Sequence, residues 1–167
     1  GGGSAALAKA RLLIKVGARV ILVSKSPSEE VCILADQDAL TVRRRTFKED
    51  DIKGMTLVIV ASGNADVDQE VSKIARASGI PVNVVDQLNL SNFLVPAIID
   101  RHPLQIGISS GGAAPSLSSR IRHQIELLLP SRIGSLAEFA RDHRITIKQL
   151  LPDSSSRRSF WRKFFDS

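Results

Sequence analysis

Apolar residues recur at helical spacing from Ser4 to Val16, with Leu7, Ala10, Leu13 and Ile14 on one side, and Gly17 stands where a C-terminal cap belongs. The spacing therefore predicts a helix opened by glycines. Arg19 to Val23 is a short, nearly continuous β-branched run, the pattern of a strand covered on both faces. A weaker stretch from Val31 to Val42 reads as a helix and then a strand. Thr56 to Ala61 is a second buried strand, followed by the turn Ser62-Gly63-Asn64 and a helix from Asp66 to Ser78 with Val67, Val71, Ile74 and Ala75 on one face. Gly79 ends that helix, and Ile80 to Val85 starts a further strand.

Solid apolar strands alternating with amphipathic helices across short glycine turns predict an α/β fold: a Rossmann-like, doubly wound parallel sheet with helices on both faces. After about residue 95 the pattern changes. Pro96 to Asp100 and Leu104 to Ser109 read as strands, followed by a glycine-rich turn and helical segments from Pro115 to Leu129, Ser135 to Leu151 and Ser156 to Phe165. The last holds Phe160, Trp161, Phe164 and Phe165, so its apolar face must pack against something. The expected organisation is a dinucleotide-binding domain over 1–95, a strand-containing segment over 96–129 and a helical C-terminal region over 130–167.

Composition narrows the class. The chain has 167 residues, of which 43% are hydrophobic and 24% charged, enough for a core under a charged surface, which excludes a disordered or collagen-like chain. No apolar run approaches the ~18 residues that cross a bilayer, so no membrane association is expected. The single cysteine, Cys32, cannot form an internal disulfide; its apolar neighbours Val31, Ile33 and Leu34 predict a buried thiol, and a cytoplasmic location is the default. The net charge of +6 suits anionic partners. Arg43-Arg44-Arg45 and Arg157-Arg158 form separate clusters without a recognition motif, so nucleic acid is not an expected partner and most of these arginines read as solvated. His102, His123 and His143 are too scattered for a metal motif.

Gly1-Gly2-Gly3-Ser4-Ala5-Ala6 fits G-x-G-x-x-A at the mouth of a helix, where absent side chains let backbone amides approach a pyrophosphate. A flexible glycine tail is the competing reading. The fingerprint normally follows a strand, and Gly1 opens the chain, so the first strand is expected to be truncated. At the end of the second strand an acid selects NAD; here the chain reads Ser24-Lys25-Ser26, whose hydroxyls suit a ribose and whose lysine also suits a 2′-phosphate, leaving NADP open beside NAD. Asn83 and Asp86 stand at the C-terminal end of a buried strand, the edge where ligands of open α/β sheets bind. Asp86 is there either a proton-transferring carboxylate or a turn residue. Ser109-Ser110-Gly111-Gly112 is a second glycine-rich turn, either an anion cradle or a structural bend.

GGGSAALAKARLL, PVNVVD, NFLVPAIIDRHPLQIGISSGGAAP and RRSFWRKFF, in this order, resemble the precorrin-2 dehydrogenase/sirohydrochlorin ferrochelatase module of siroheme synthase, over nearly the whole chain. The resemblance implies NAD-dependent oxidation of precorrin-2 to sirohydrochlorin, with insertion of Fe²⁺ as a substrate to give siroheme, in a homodimer that binds these tetrapyrroles and whose dimerisation segment is 96–129. It places the essential aspartate on Asp86, as general base, and a neighbouring active-site asparagine on Asn83. Ser110, Gly111 and Gly112 fall on the turn near the tetrapyrrole, and Gly1, Gly3, Ser4, Ala5, Lys25, Ser26 and Ser62 fall on positions at or near the cofactor. No fixed metal site is implied. The chain departs from the family pattern at Ala8, at Ala61-Ser62-Gly63, at Asp68 and in the SSGGAAP block. A dehydrogenase without chelatase activity and a non-catalytic NAD(P)-binding regulatory domain are the alternatives.

Overall fold

The computed structural model describes residues 1–166 and divides into two compact units, 1–95 and 96–166. The first unit carries β1 (Ile21–Val23), β2 (Thr41–Arg43), β3 (Val58–Val60) and β4 (Val82–Val84), with α1 (Ser4–Lys15), α2 (Glu29–Asp36) and α3 (Ala65–Ala77) between or before them. β1 pairs in parallel with β2, Leu22 opposite Val42, and β3 pairs in parallel with β4, Ile59 opposite Asn83. The expected parallel sheet is thus present as two ladders that are not hydrogen-bonded to each other. Each is a β-α-β unit with its own core. Leu7, Ala10, Leu22, Val31 and Leu40 close the first, and Ile52, Val60, Val71, Ala75, Val82 and Val84 the second.

All three helices of this unit end in the same way. In α1 the Gly17 amide bonds the Ile14 carbonyl and Ala18 bonds Leu13, while Gly17 takes φ +76°, a left-handed cap that glycine adopts without a Cβ penalty. Gly79 does the same for α3. For α2 the position is held by Asp38, at φ +55°, with Asp38 bonding Ala35 and Ala39 bonding Leu34. Within α2 the buried residue is Val31; Cys32, about 100° further round the helix, is half-exposed and accepts from Arg44 Nη2 at 3.2 Å. The expected buried thiol is therefore corrected to a rim position.

Two of the three consecutive arginines are likewise engaged. The Asp51 carboxylate, 3% exposed, accepts from Arg43 Nη1 and Arg45 Nη2, both at 2.6 Å, and from the Lys48 amide at 2.9 Å. Asp51 sits in a single 3-10 turn, Glu49–Ile52, which hydrophobic periodicity does not reveal. The free edge of β4 is sealed by the returning segment 88–93: the Val82 amide bonds Asn92 Oδ1 at 2.7 Å, and the Val84 amide bonds Ser91 Oγ at 2.9 Å.

The second unit holds the antiparallel hairpin β5 (Ala97–Arg101) and β6 (Leu104–Ile108), then α4 (Pro115–Leu128), α5 (Ile133–Leu150) and α6 (Ser154–Asp166). Glu126 of α4 joins Arg101 of β5 at 3.2 Å and Arg122 at 2.6 Å. Phe164 of α6 stacks on Phe139 of α5 with ring centroids 5.1 Å apart, so the aromatic face expected to pack meets α5 there, although no residue of α6 is buried. Gly134, near the start of α5, lies against the hairpin turn; a Cβ there would stand 2.5 Å from the His102 carbonyl oxygen and 2.6 Å from that of Arg101. Because both are backbone atoms, Gly134→Ala is expected to destabilise this unit by about 1–3 kcal/mol, the range for overpacking. Urea unfolding followed by far-UV circular dichroism measures it. Among the described residues no helix is long and apolar enough to cross a membrane.

Candidate functional site

The C-terminal ends of the parallel strands in the first unit converge on one edge. The Gly1 nitrogen donates to the Val23 carbonyl at 3.1 Å, at the end of β1. A Cβ on Gly1 would fall 1.7 Å from the Ala61 oxygen, just beyond β3, so the glycine turn lies against both strand ends. Gly2 is buried beneath the β1–α2 loop, and a Cβ there would meet Ser24 Oγ at 2.5 Å and Pro27 Cα at 2.8 Å. Gly1 is demanded by the backbone at Ala61, and Gly2 by the Ser24 side chain and the Pro27 backbone.

Gly3 is different. It is exposed, with φ −89°, and a Cβ there would meet nothing within 4 Å. It is the N-cap residue of α1, and no side chain caps that end. The amides of Ser4, Ala5 and Ala6 thus lack intrahelical partners and point into open space, where the positive end of the helix favours an anion. Ala6, at the third fingerprint position, packs against the core that contains Leu22. A dinucleotide pyrophosphate fits this arrangement: amides without acceptors, a cradle that a side chain at residue 3 would partly fill, and a small residue where helix meets strand.

Ser24 Oγ accepts from the Ser26 amide at 3.2 Å and so shapes the loop that carries the exposed Lys25 and Ser26. Across the turn, the Ser62 hydroxyl donates to the buried Asp68 carboxylate at 2.5 Å and accepts from the Asn64 amide at 3.0 Å. Asn64 Oδ1 in turn caps α3, accepting from the Asp66 and Val67 amides at 3.0 and 3.2 Å. Ser62 is therefore a fixed hydroxyl. Asp68, noted in the sequence as a departure from the family pattern near the cofactor, and Asn64, which sequence reasoning did not assign to the site, hold it there; for Asn64 the asparagine preceding a helical run was the available signal.

Asp86 lies two residues beyond Val84 as Ser62 lies two beyond Val60, and Val60 and Val84 are register partners, so both stand at the same edge. The Gln87 amide bonds the Val84 carbonyl at 3.1 Å, closing a tight turn in which Asp86 takes φ +60°. Aspartate is, with asparagine, among the non-glycine residues that adopt this conformation most readily, so the turn selects a short polar side chain at this position. The side chain is exposed and makes no hydrogen bond or ion pair with any described residue. Asn83, by contrast, is buried at 6% exposure, and its Nδ2 donates to the Phe93 carbonyl at 3.1 Å, tying the loop after β4 to the strand.

Ser110, Gly111 and Gly112 belong to the second unit. Ser110 Oγ accepts from the Ala114 amide at 2.9 Å, Ser109 Oγ accepts from Gly111 at 3.1 Å, and both glycines take positive φ, +64° and +86°. The hydroxyls brace the entry to α4.

The architecture separates the roles of adjacent glycines. Gly3→Ala is expected to leave stability within about 0.5 kcal/mol while weakening nicotinamide dinucleotide binding about tenfold, because its methyl group occupies the cradle. Gly2→Ala is expected to lower the melting temperature instead. Thermal melts with and without ligand distinguish the two.

Residues 1–97 match a family described as "Putative NAD(P)-binding", 101–127 the sirohaem biosynthesis protein central region, and 132–167 the sirohaem synthase dimerisation region. Relatives include the siroheme synthases of Methylococcus capsulatus, 40% identical over 163 residues, and Pseudomonas aeruginosa, 43% identical over 165. These matches cover 98% and 99% of the chain but 34% and 36% of the relatives, so the chain spans about a third of their length. Among solved structures, SirC, a precorrin-2 dehydrogenase, shares the fold at a TM-score of 0.77 and 23% identity, over 98% of this chain and 80% of that one. The chain belongs to the NAD(P)-binding family, in the form that siroheme synthases carry.

Proposed function

We propose that the protein oxidises precorrin-2 to sirohydrochlorin with a nicotinamide dinucleotide and then assists insertion of Fe²⁺, a substrate, to yield siroheme. The observation that carries this reading is the unpaired Asp86 carboxylate, held by a left-handed turn at the strand edge that also bears the glycine turn. The nicotinamide ring supplies a hydride acceptor when the cofactor is bound. The backbone at Gly3 and the amides of Ser4 and Ala5 would hold the pyrophosphate, Ser24 to Ser26 the adenosine end, and Ser62 a polar group nearer the reacting ring.

Loss of a hydride from the macrocycle must be matched by loss of a proton, and metal insertion displaces two more from ring nitrogens. Asp86 takes up these protons one at a time and releases each to solvent before the next: its side chain is exposed, and no cation of the described residues engages it. In the Ser110-Gly111-Gly112 turn the Gly111, Ala113 and Ala114 amides are engaged by Ser109 and Ser110, which leaves the Gly112 amide, on a residue at φ +86°, for a carboxylate of the tetrapyrrole. A second copy of the chain is the proposed partner, through the region matched at 132–167.

Incubating the protein with precorrin-2 and NAD⁺ or NADP⁺ should produce reduced-nicotinamide absorbance, and later addition of Fe²⁺ the siroheme spectrum. Reduction without metal insertion would leave a dehydrogenase only. Nucleotide binding with no tetrapyrrole-dependent reduction would replace the enzyme with a binding domain.

A further inference from the structure

Resting on the nicotinamide reading above, we propose that Asp68 is a positioning residue of the cofactor site: it takes up the Ser62 proton, so that Ser62 meets the nicotinamide half of the dinucleotide as a hydrogen-bond acceptor. The place of the pair follows from the glycine turn. A Cβ on Gly1 would stand 3.1 Å from the Ser62 nitrogen as well as 1.7 Å from the Ala61 oxygen, so the loop after β3 lies directly against the turn that cradles the pyrophosphate. On the other flank of the turn is the end of β1, where the Gly1 nitrogen meets the Val23 carbonyl. A dinucleotide held at its pyrophosphate spans such a crevice. With its adenosine end over β1, the other half passes over Ser62 toward Asp86, which stands at the same edge.

A serine hydroxyl has one proton and two lone pairs, and its direction is ordinarily free. Here it is decided. Two acceptors lie within reach of Ser62 Oγ, the Asp68 carboxylate at 2.5 Å and the Asn64 carbonyl at 3.1 Å. The carbonyl already accepts from the Asp68 amide at 2.9 Å, and a charged acceptor at the shorter distance forms the stronger bond. The proton therefore goes to Asp68. One lone pair of Ser62 Oγ is taken by the Asn64 amide at 3.0 Å, which leaves one. Asp68 is 5% exposed and lies in the first turn of α3, where the positive helix end favours a carboxylate. With so little surface it acts through Ser62 rather than on the ligand. An asparagine in its place could turn its amide N–H to the hydroxyl and reverse the bond, whereas a carboxylate only accepts. The nicotinamide half carries two kinds of donor, the ribose hydroxyls and the carboxamide N–H, and either matches the remaining lone pair.

Titration calorimetry with NAD⁺ tests this without requiring turnover. Ser62→Ala and Asp68→Leu are each expected to weaken NAD⁺ binding about five- to tenfold, the net contribution of one hydrogen bond. Ser62→Thr, which keeps the hydroxyl, should stay within about twofold of the unaltered protein. The deciding readout is the double variant: with Ser62 already alanine, Asp68→Leu should weaken binding no further, because Asp68 then has no hydroxyl proton to hold. Asp68→Ala serves the same cycle if the leucine variant does not fold. The acetylpyridine analogue of NAD⁺, a methyl ketone in place of the carboxamide, identifies the donor. Ser62→Ala should leave its affinity unchanged if the donor is the amide, and weaken it as for NAD⁺ if the donor is a ribose hydroxyl. Unchanged NAD⁺ affinity in Ser62→Ala, or an equal loss from Asp68→Leu in both backgrounds, would overturn the assignment and leave the nucleotide reading standing. If the unaltered protein binds no nicotinamide dinucleotide, both fall.

Discussion

Asp86→Asn is expected to lower precorrin-2 turnover about 10²- to 10⁴-fold, the usual contribution of a positioned acid–base group, while the protein melts as before. Asparagine is the informative substitution because it removes the charge and keeps the shape. It also tolerates the left-handed backbone, so the turn closed by Gln87 and Val84 stays intact. Alanine would add a backbone cost of about 1 kcal/mol at φ > 0 and blur the result. A steady-state assay with binding measured in parallel separates the two contributions: kcat should fall and dinucleotide affinity should not. An Asp86→Asn enzyme with near-normal turnover would remove Asp86 from the chemistry and leave it a turn residue.

The second large effect is on stability. Asp51→Ala removes the acceptor for Arg43, Arg45 and the Lys48 amide at one stroke. Hydrogen bonds to charged groups contribute about 1.5–3 kcal/mol each. Here the sum is reduced because both guanidinium groups are more than a third exposed and partly solvated. A net loss of about 2–3 kcal/mol is expected, read as a lower urea midpoint with an unchanged slope. The Arg45 side chain, ahead of the Lys48 amide and Arg43, holds this carboxylate well below the ordinary range although burial opposes it. A depressed folded value means that the contribution is whole above about pH 4 and is lost as pH falls through the folded value. The protein should therefore lose stability below about pH 4 more steeply than the Asp51→Asn variant does.

Much of this architecture is legible in the chain, for reasons that can be named. Gly17 and Gly79 announce the ends of α1 and α3 because a left-handed cap favours glycine. The end of α2 carries Asp38 in that role, so the helix reads only as a vague segment. The fingerprint glycines are legible as a set, but their division of labour is not: close approach at Gly1 and Gly2, and open space at Gly3, depend on what β1 and β3 bring against them. Cys32 misleads because its neighbours are apolar, and a one-residue step round the helix separates core from rim. The pairing of Arg43 and Arg45 is not legible because Asp51 sits in a turn without periodicity. At the site, the residue type and strand-end position of Asp86 are visible in sequence, whereas its left-handed backbone and unpaired side chain emerge only once β4 is paired and its edge closed.

That closure has an effect of its own. An uncovered parallel strand offers a row of backbone groups to any passing chain, and proteins that leave one bare tend to self-associate into β-rich precipitates. Here Ser91 and Asn92 stand in for the absent neighbour, and the bend that carries them back begins at Asp86. The same few residues thus guard solubility and orient the acid, so a lesion at either side chain would surface in both.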